Sequence, residues 1–170
     1  MTREQLHTAF ADSFAEDGSV CIAADALSKT EDELQTLFPA SFVAFAKNVG
    51  AIFTPSLLDL VTGGESEIAP PGASLDIQNF FTAEEIVETT RAYHEGGMET
   101  WFIAVASDSM GNVFGFRQHT ESPRPDDAAL MVFDHDFCKI DLEAESFDAW
   151  IRSFLNMKKD TQQAVDGNPH

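Results

Sequence analysis

The chain has 170 residues, with 29 acidic against 10 basic side chains and a formal net charge of −19. A hydrophobic share of 44% with 15 phenylalanines excludes a disordered polyelectrolyte and calls for a packed core of one-domain size. The acids are spread along the whole chain, Asp12, Glu16 and Asp17 early and Asp134 to Asp148 late, rather than gathering in a tail, so the folded body carries a negative field that repels nucleic acid and anionic membrane and favours basic partners.

Acidity also keeps a protein soluble, so the charge suggests a partner class without requiring a partner. The opening Met1-Thr-Arg-Glu-Gln-Leu6 has no apolar run of the signal-peptide kind. No stretch approaches the roughly 18 to 20 continuous apolar residues that span a bilayer. Cys21 and Cys138 each lie in an apolar stretch with no second cysteine at zinc spacing, and read as buried thiols of a reducing compartment. These features together give the expectation of a cytoplasmic protein.

Leu6, Phe10 and Phe14 repeat every four residues and predict a helix over about 3–15 that Gly18 ends. Val20-Cys-Ile22 is a short strand or packed loop. Thr30 with Glu33 fits a capping box opening a short helix to about Phe38. Pro39 suits the first turn of a further helix, with Phe42, Phe45 and Val49 inward and Gly50 past its end. Thr54-Pro55 repeats that pattern ahead of Leu57 to Val61, and Glu65 to Ser74, with Pro70-Pro71-Gly72, reads as an exposed loop. Thr82 with Glu85 is another capping box, opening a helix that stops at Gly96-Gly97.

From Trp101 the pattern changes. Trp101 to Ala106 is a continuous apolar run, as in a central strand, and Val113 to Phe116 returns after the turn Asp108 to Asn112, where Gly111 or Asn112 can take positive φ. A connection from Glu121 to Asp127 leads to Leu130–Phe133 and then Phe137–Leu142, two strands around Asp134-His135-Asp136. Ser146 caps a closing helix with Phe147, Trp150, Ile151, Phe154 and Leu155 on one face and Lys158 and Lys159 near its end. The expected architecture is α+β, an antiparallel meander flanked by N-terminal helices and a closing C-terminal helix, in a single domain over 1–159 with a disordered tail at 160–170.

Asp134-His135-Asp136 is the most enzyme-like segment, since an imidazole between carboxylates can bind metal or move protons. On a strand, however, His135 would face away from both acids. Ser107-Asp108-Ser109-Met110-Gly111 lacks the first glycine of a hydrolase elbow, and hydrogen bonding by Asp108 and Ser109 within the turn explains it more simply. Gly63-Gly64 and Gly96-Gly97 are followed by no phosphate-loop lysine. The phenylalanines fall at helical and strand periods and read as core rather than as a base-stacking surface. No catalytic residue, metal ligand or cofactor site is assigned, and the expectation is a non-enzyme.

Three pieces carry a family resemblance. Leu37-Phe-Pro-Ala-Ser-Phe-Val-Ala-Phe45 with Asn48-Val-Gly50 is similar to a Leu-Pro-x-x-Tyr/Phe-x-x-Phe opening helix. Trp101 to Phe114 resembles a strand, Asp-x-x-Gly-Asn turn and strand, and Val132 to Asp136 leading to Ser146-Phe-Asp-Ala-Trp150-Ile is similar to a final Ser-Phe-x-x-Trp helix. In this order, over roughly residues 30 to 156, they resemble a divergent branch of the SUKH superfamily, which groups bacterial toxin-immunity proteins with fungal Smi/Knr-type regulators. The resemblance implies a protein-binding immunity protein that occludes a cognate toxin, often one acting on nucleic acid, and the chain's acidity adds the expectation that this toxin is basic. A regulatory scaffold of the Smi/Knr type without a toxin is the alternative. The partner-binding candidates are Glu65, Glu67, Glu121, Asp126, Asp127, Asp134, Asp136, Glu143 and Glu145. Each could equally be a solvated surface carboxylate.

Overall fold

The computed structural model describes residues 1–63 and 76–166. In chain order the elements are α1 (Arg3–Phe14), β1 (Glu16–Val20), α2 (Ala24–Leu34), α3 (Ala40–Asn48), β2 (Ala51–Phe53), α4 (Leu57–Thr62), β3 (Ile77–Phe80) and α5 (Ala83–Glu95). Then follow β4 (Phe102–Asp108), β5 (Val113–Arg117), β6 (Leu130–Asp134), β7 (Lys139–Ala144) and α6 (Phe147–Asp166). Among the described residues the strands form one seven-stranded antiparallel sheet in sequence order, β1 to β7. The α+β class and the closing helix are as the sequence implies.

The sheet is larger than the four-strand meander read from periodicity. β2 and β3 are three and four residues long, too short for an alternation to register, and become strands because Ile52, Ile77 and Phe80 bury their side chains. Helices therefore interleave with the first three strands instead of all preceding the sheet.

Cross-strand pairs share a face of a sheet, so Phe80, Ala106 and Phe114 lie together. Trp150 of α6 stacks on Phe114 at 5.7 Å and also meets Phe80. Phe10 of α1 and Phe45 of α3 pack on Phe80 from the same side, and Phe147 joins Phe42, Phe45 and Phe116. Most of these ring pairs are edge-on or tilted, the arrangements that suit opposed ring quadrupoles. On the other face α5 covers β4 and reaches β6: Thr90 accepts from the Ala104 N–H at 3.0 Å, and Tyr93 meets Phe133 edge-on. β4 is buried on both faces as far as Ala106, which accounts for its unbroken apolar sequence. Gly115 is required where β5 crosses β4, since a Cβ there would stand 1.9 Å from the Ile103 carbonyl oxygen.

Several local expectations change. α2 begins at Ala24, so Thr30 lies inside it and donates to the Ala26 carbonyl rather than capping. Pro39 sits at the N-cap position of α3. α4 starts at Leu57, behind Ser56, because the buried Thr54 spends its hydroxyl on the Ile77 carbonyl of β3. The Thr82–Glu85 capping box forms as expected, and α1 has one of its own between Thr2 and Gln5. Both cysteines are exposed, not buried; Cys138 sits at positive φ in the β6–β7 turn. Phe137 in the same turn and Phe53 are likewise outside the core, 81% and 41% exposed.

α6 runs on to Asp166, past the Lys159 at which the sequence suggests a stop. Thr161 donates to the Val61 carbonyl at 2.7 Å, so the added turns lean on α4 and residues 160–166 are helix rather than disordered tail. The expectation of disorder at 167–170 lies outside the described residues, as does the loop Glu65 to Ser74 with its candidates Glu67 and Glu65. No helix among the described residues is long and apolar enough to cross a membrane.

Candidate functional site

β5 and β6 are antiparallel, so the connection 118–129 lies at one end of the sheet and the β4–β5 and β6–β7 turns at the other. The candidate acids divide between these ends. At the first end they belong to the fold. Ala40 and Ser41, at the start of α3, donate backbone N–H groups to Pro125 and Asp126 carbonyls, and Leu37 donates to His119. Arg124 pairs with the buried Glu31, whose Oε1 also accepts from the Phe38 N–H.

Asp127 is half-buried and accepts from the Ser41 hydroxyl at 2.6 Å and the Phe147 and Asp148 N–H groups at 3.0 and 3.2 Å. It caps α6 from outside, beside Ser146, where the positive helix end favours a carboxylate. It is therefore not the exposed contact expected of it. Asp126 is 84% exposed but receives both Arg3 amino groups at 3.1 and 2.9 Å, and this pairing holds its carboxyl below the ordinary range. Glu121 and Glu145 are exposed at this end, and Glu143 is half-buried on β7.

The same end holds a network the sequence reading missed. His7 is completely buried, with Nε2 2.8 Å from Asp148 Oδ1, while Arg3 Nε donates to Asp148 Oδ2 at 2.7 Å. Burial pushes the His7 imidazole below its ordinary pKa, and the pull of Asp148 the other way is weaker; Asp148 already shares its charge with Arg3. A neutral His7 must donate through Nε2, which leaves Nδ1 an acceptor with no hydrogen-bond partner. The only local signal was a polar residue next to Leu6 on the apolar stripe, and its partner lies 141 positions away.

At the other end two turns interlock. The Asp108 carboxylate accepts from the Met110 and Asn112 N–H groups and from the Asn112 amide, all within 2.9 Å. Ser109 donates outside the turn, to Asp76. Asp134 accepts from the Asp136 and Phe137 N–H groups and so shapes its own turn. Asn112 Oδ1 accepts from the His135 N–H at 3.3 Å and joins the two. Gly111, at φ 92, lies under the His135 ring and offers its carbonyl to the Tyr93 hydroxyl at 2.6 Å. Burial raises the Tyr93 phenol pKa, and Asp108 adds to the shift.

Because residues 134–138 turn tightly, strand alternation does not separate His135 from Asp136, and their side chains approach to 3.3 Å. Among the described residues no group of three or more His, Cys, Asp or Glu side chains is placed to hold a metal. A groove of about 420 Å³ between α2 and α5 is bordered by Lys29, Glu33, Glu84, Glu88 and Arg91, and Arg91 pairs with Glu33 at 3.2 Å.

What the turn end presents is apolar surface among acids. Met110 is 67% exposed in the β4–β5 turn, and Phe137 is exposed in the β6–β7 turn that Asn112 and His135 join to it. Asp136 is exposed and Asp134 half-buried next to them. The surface continues along β7, where Leu142 is 65% exposed. Of the seven candidates among the described residues, Asp134 and Asp136 share a turn with the exposed Phe137, and Glu143 follows the exposed Leu142. Such an arrangement suits protein contact, in which apolar area supplies affinity and charge supplies selection.

A family model described as SMI1 / KNR4 family (SUKH-1) matches residues 21–153, a span that contains the opening helix, the Asp108–Asn112 hairpin and most of the final helix's aromatic face. Comparison with curated proteins gave no match.

Proposed function

The chain belongs to the SMI1 / KNR4 family (SUKH-1), and from that premise we propose that it is an immunity-type protein that neutralises a basic protein toxin by binding and occluding it. The observation that carries this reading is the exposed apolar surface of the β6–β7 hairpin, Phe137 and Leu142, bordered by Asp134, Asp136 and Asp141 on a body of net charge −19. Burying that surface against a partner is favourable, and acids around it select a partner of opposite sign. Toxins that act on nucleic acid need a basic groove, so they fit that selection.

The function is stoichiometric binding in the cytoplasm, not turnover. Asp108, Asp134 and Asp127 spend their carboxylates on turns and a helix end, which leaves the exposed acids for steering. Association is accordingly fast and falls with added salt.

Co-expression with the toxin encoded beside the gene tests the reading. Rescue of growth together with co-purification is expected. A toxin that kills unimpeded and does not co-purify contradicts the immunity reading and leaves the regulatory scaffold in its place.

A further inference from the structure

β7 is the last strand in the sheet: β6 occupies one of its edges, and no described strand lies along the other. Alternate N–H and C=O groups of an edge strand point outward and form a template for another chain. The side chains of β7 divide by register. Lys139 and Asp141 lie opposite Asp134 and Val132, whereas Ile140 and Leu142 lie opposite Phe133 and Met131. One face of the strand is therefore charged and exposed, with Asp141 2.8 Å from Lys139. The other is an apolar row that α5 covers at Phe133 and leaves open at Leu142.

We infer that the partner binds by adding an extended strand to the outer edge of β7 along Lys139 to Leu142, a strand whose side chains alternate between basic and apolar. This rests on the protein-binding reading given above and names its mode. Main-chain hydrogen bonds supply affinity in such an addition, and alternate side chains supply specificity. An apolar residue of the added strand covers Leu142, and a lysine or arginine on its other face meets Asp141.

A second copy of this chain is the wrong occupant. Antiparallel pairing centred on Asp141 would set two copies of that acid opposite each other on bodies that each carry −19, and like charges repel. β1, the opposite edge, is a poorer template, since its register shifts between Glu16 and Val20, whereas the shift in β7 falls past Leu142 and leaves Lys139 to Leu142 regular.

The full chain is titrated with a capped peptide of alternating lysine and valine, and with the same peptide N-methylated at alternate amides. Backbone amide shifts and hydrogen exchange are read. Binding of the plain peptide is expected to slow exchange of β7 amides about tenfold or more, while the methylated peptide, equal in charge and apolar content, does not bind. Equal binding of both peptides, protection centred on Glu16–Val20, or no response to the plain peptide overturns the inference. Co-expression separates the two proposals: growth rescue with β7 unprotected by peptide sinks strand addition alone, and β7 protection without rescue sinks the toxin reading alone.

Discussion

Leu142 stands directly across from Met131 on the outermost pair of strands, yet it is 65% exposed while Met131 is half-buried. The row they share with Phe133 and Ile140 passes from core to solvent within one strand's width, because α5 reaches Phe133 through Tyr93 and stops there. A single exposed leucine is ordinary. This one extends a buried row on the same hairpin as the exposed Phe137, which is the surface the proposed partner would cover.

Leu142→Ser and Phe137→Ser are expected to leave stability within about 0.5 kcal/mol, since each gives up little burial in the free protein. Each should weaken capture of the partner by about tenfold or more, as apolar anchors do. Thermal melts and titration with the co-purified toxin separate these effects. A large loss of stability would place the side chains in the core after all.

Asp148→Ala removes the shared acceptor of His7 and Arg3 and leaves the buried imidazole without its partner, while Arg3 keeps its pair with Asp126. A loss of about 2 kcal/mol is expected. Asp126→Asn, at an exposed and solvent-screened pair, should change stability far less. Denaturant unfolding of both variants checks the contrast, and equal costs would deny Asp148 its central place.

His7 is held below its ordinary pKa by burial, so the folded chain keeps it neutral where the unfolded chain protonates it. The unfolded state then binds more protons, and stability is fully present above about pH 6.5 and declines as pH falls toward the lowered value. His7→Gln, which can still donate to Asp148, should flatten the slope of stability between about pH 7 and 5.5. An unchanged slope would assign it to other groups.

Asp127→Ala strips the outer cap of α6 and leaves the Ser41 hydroxyl and the Asp148 N–H without their acceptor, while the Phe147 N–H keeps the Ala128 carbonyl. A cost of about 2 kcal/mol is expected, with partner binding retained once folding is allowed for. Glu121→Gln at the same end should cost almost nothing. Weaker binding by folded Asp127→Ala would restore this residue as a contact.

The contrast between these residues also explains what the sequence could reveal. The Thr82–Glu85 box is written in adjacent residues and forms as read. Thr30–Glu33 has the same spacing but falls inside α2, because a short pattern does not distinguish a helix start from its interior. Motif order carried the fold class, since the hairpin and final aromatic helix are local. β2 and β3 were not legible because strands of three and four residues take their identity from neighbours distant in sequence. For the same reason the acids could not be sorted: Asp126 and Asp127 look like Asp134 and Asp136 until Arg3, Ser41 and Phe147 are brought to them.

The most direct measurement is growth of cells expressing the neighbouring toxin with the unaltered protein or with the Asp141→Lys, Leu142→Lys double variant, whose fold is checked by its melt. The account predicts that the unaltered protein restores growth and the folded double variant does not. Failure of the unaltered protein to restore growth would contradict it.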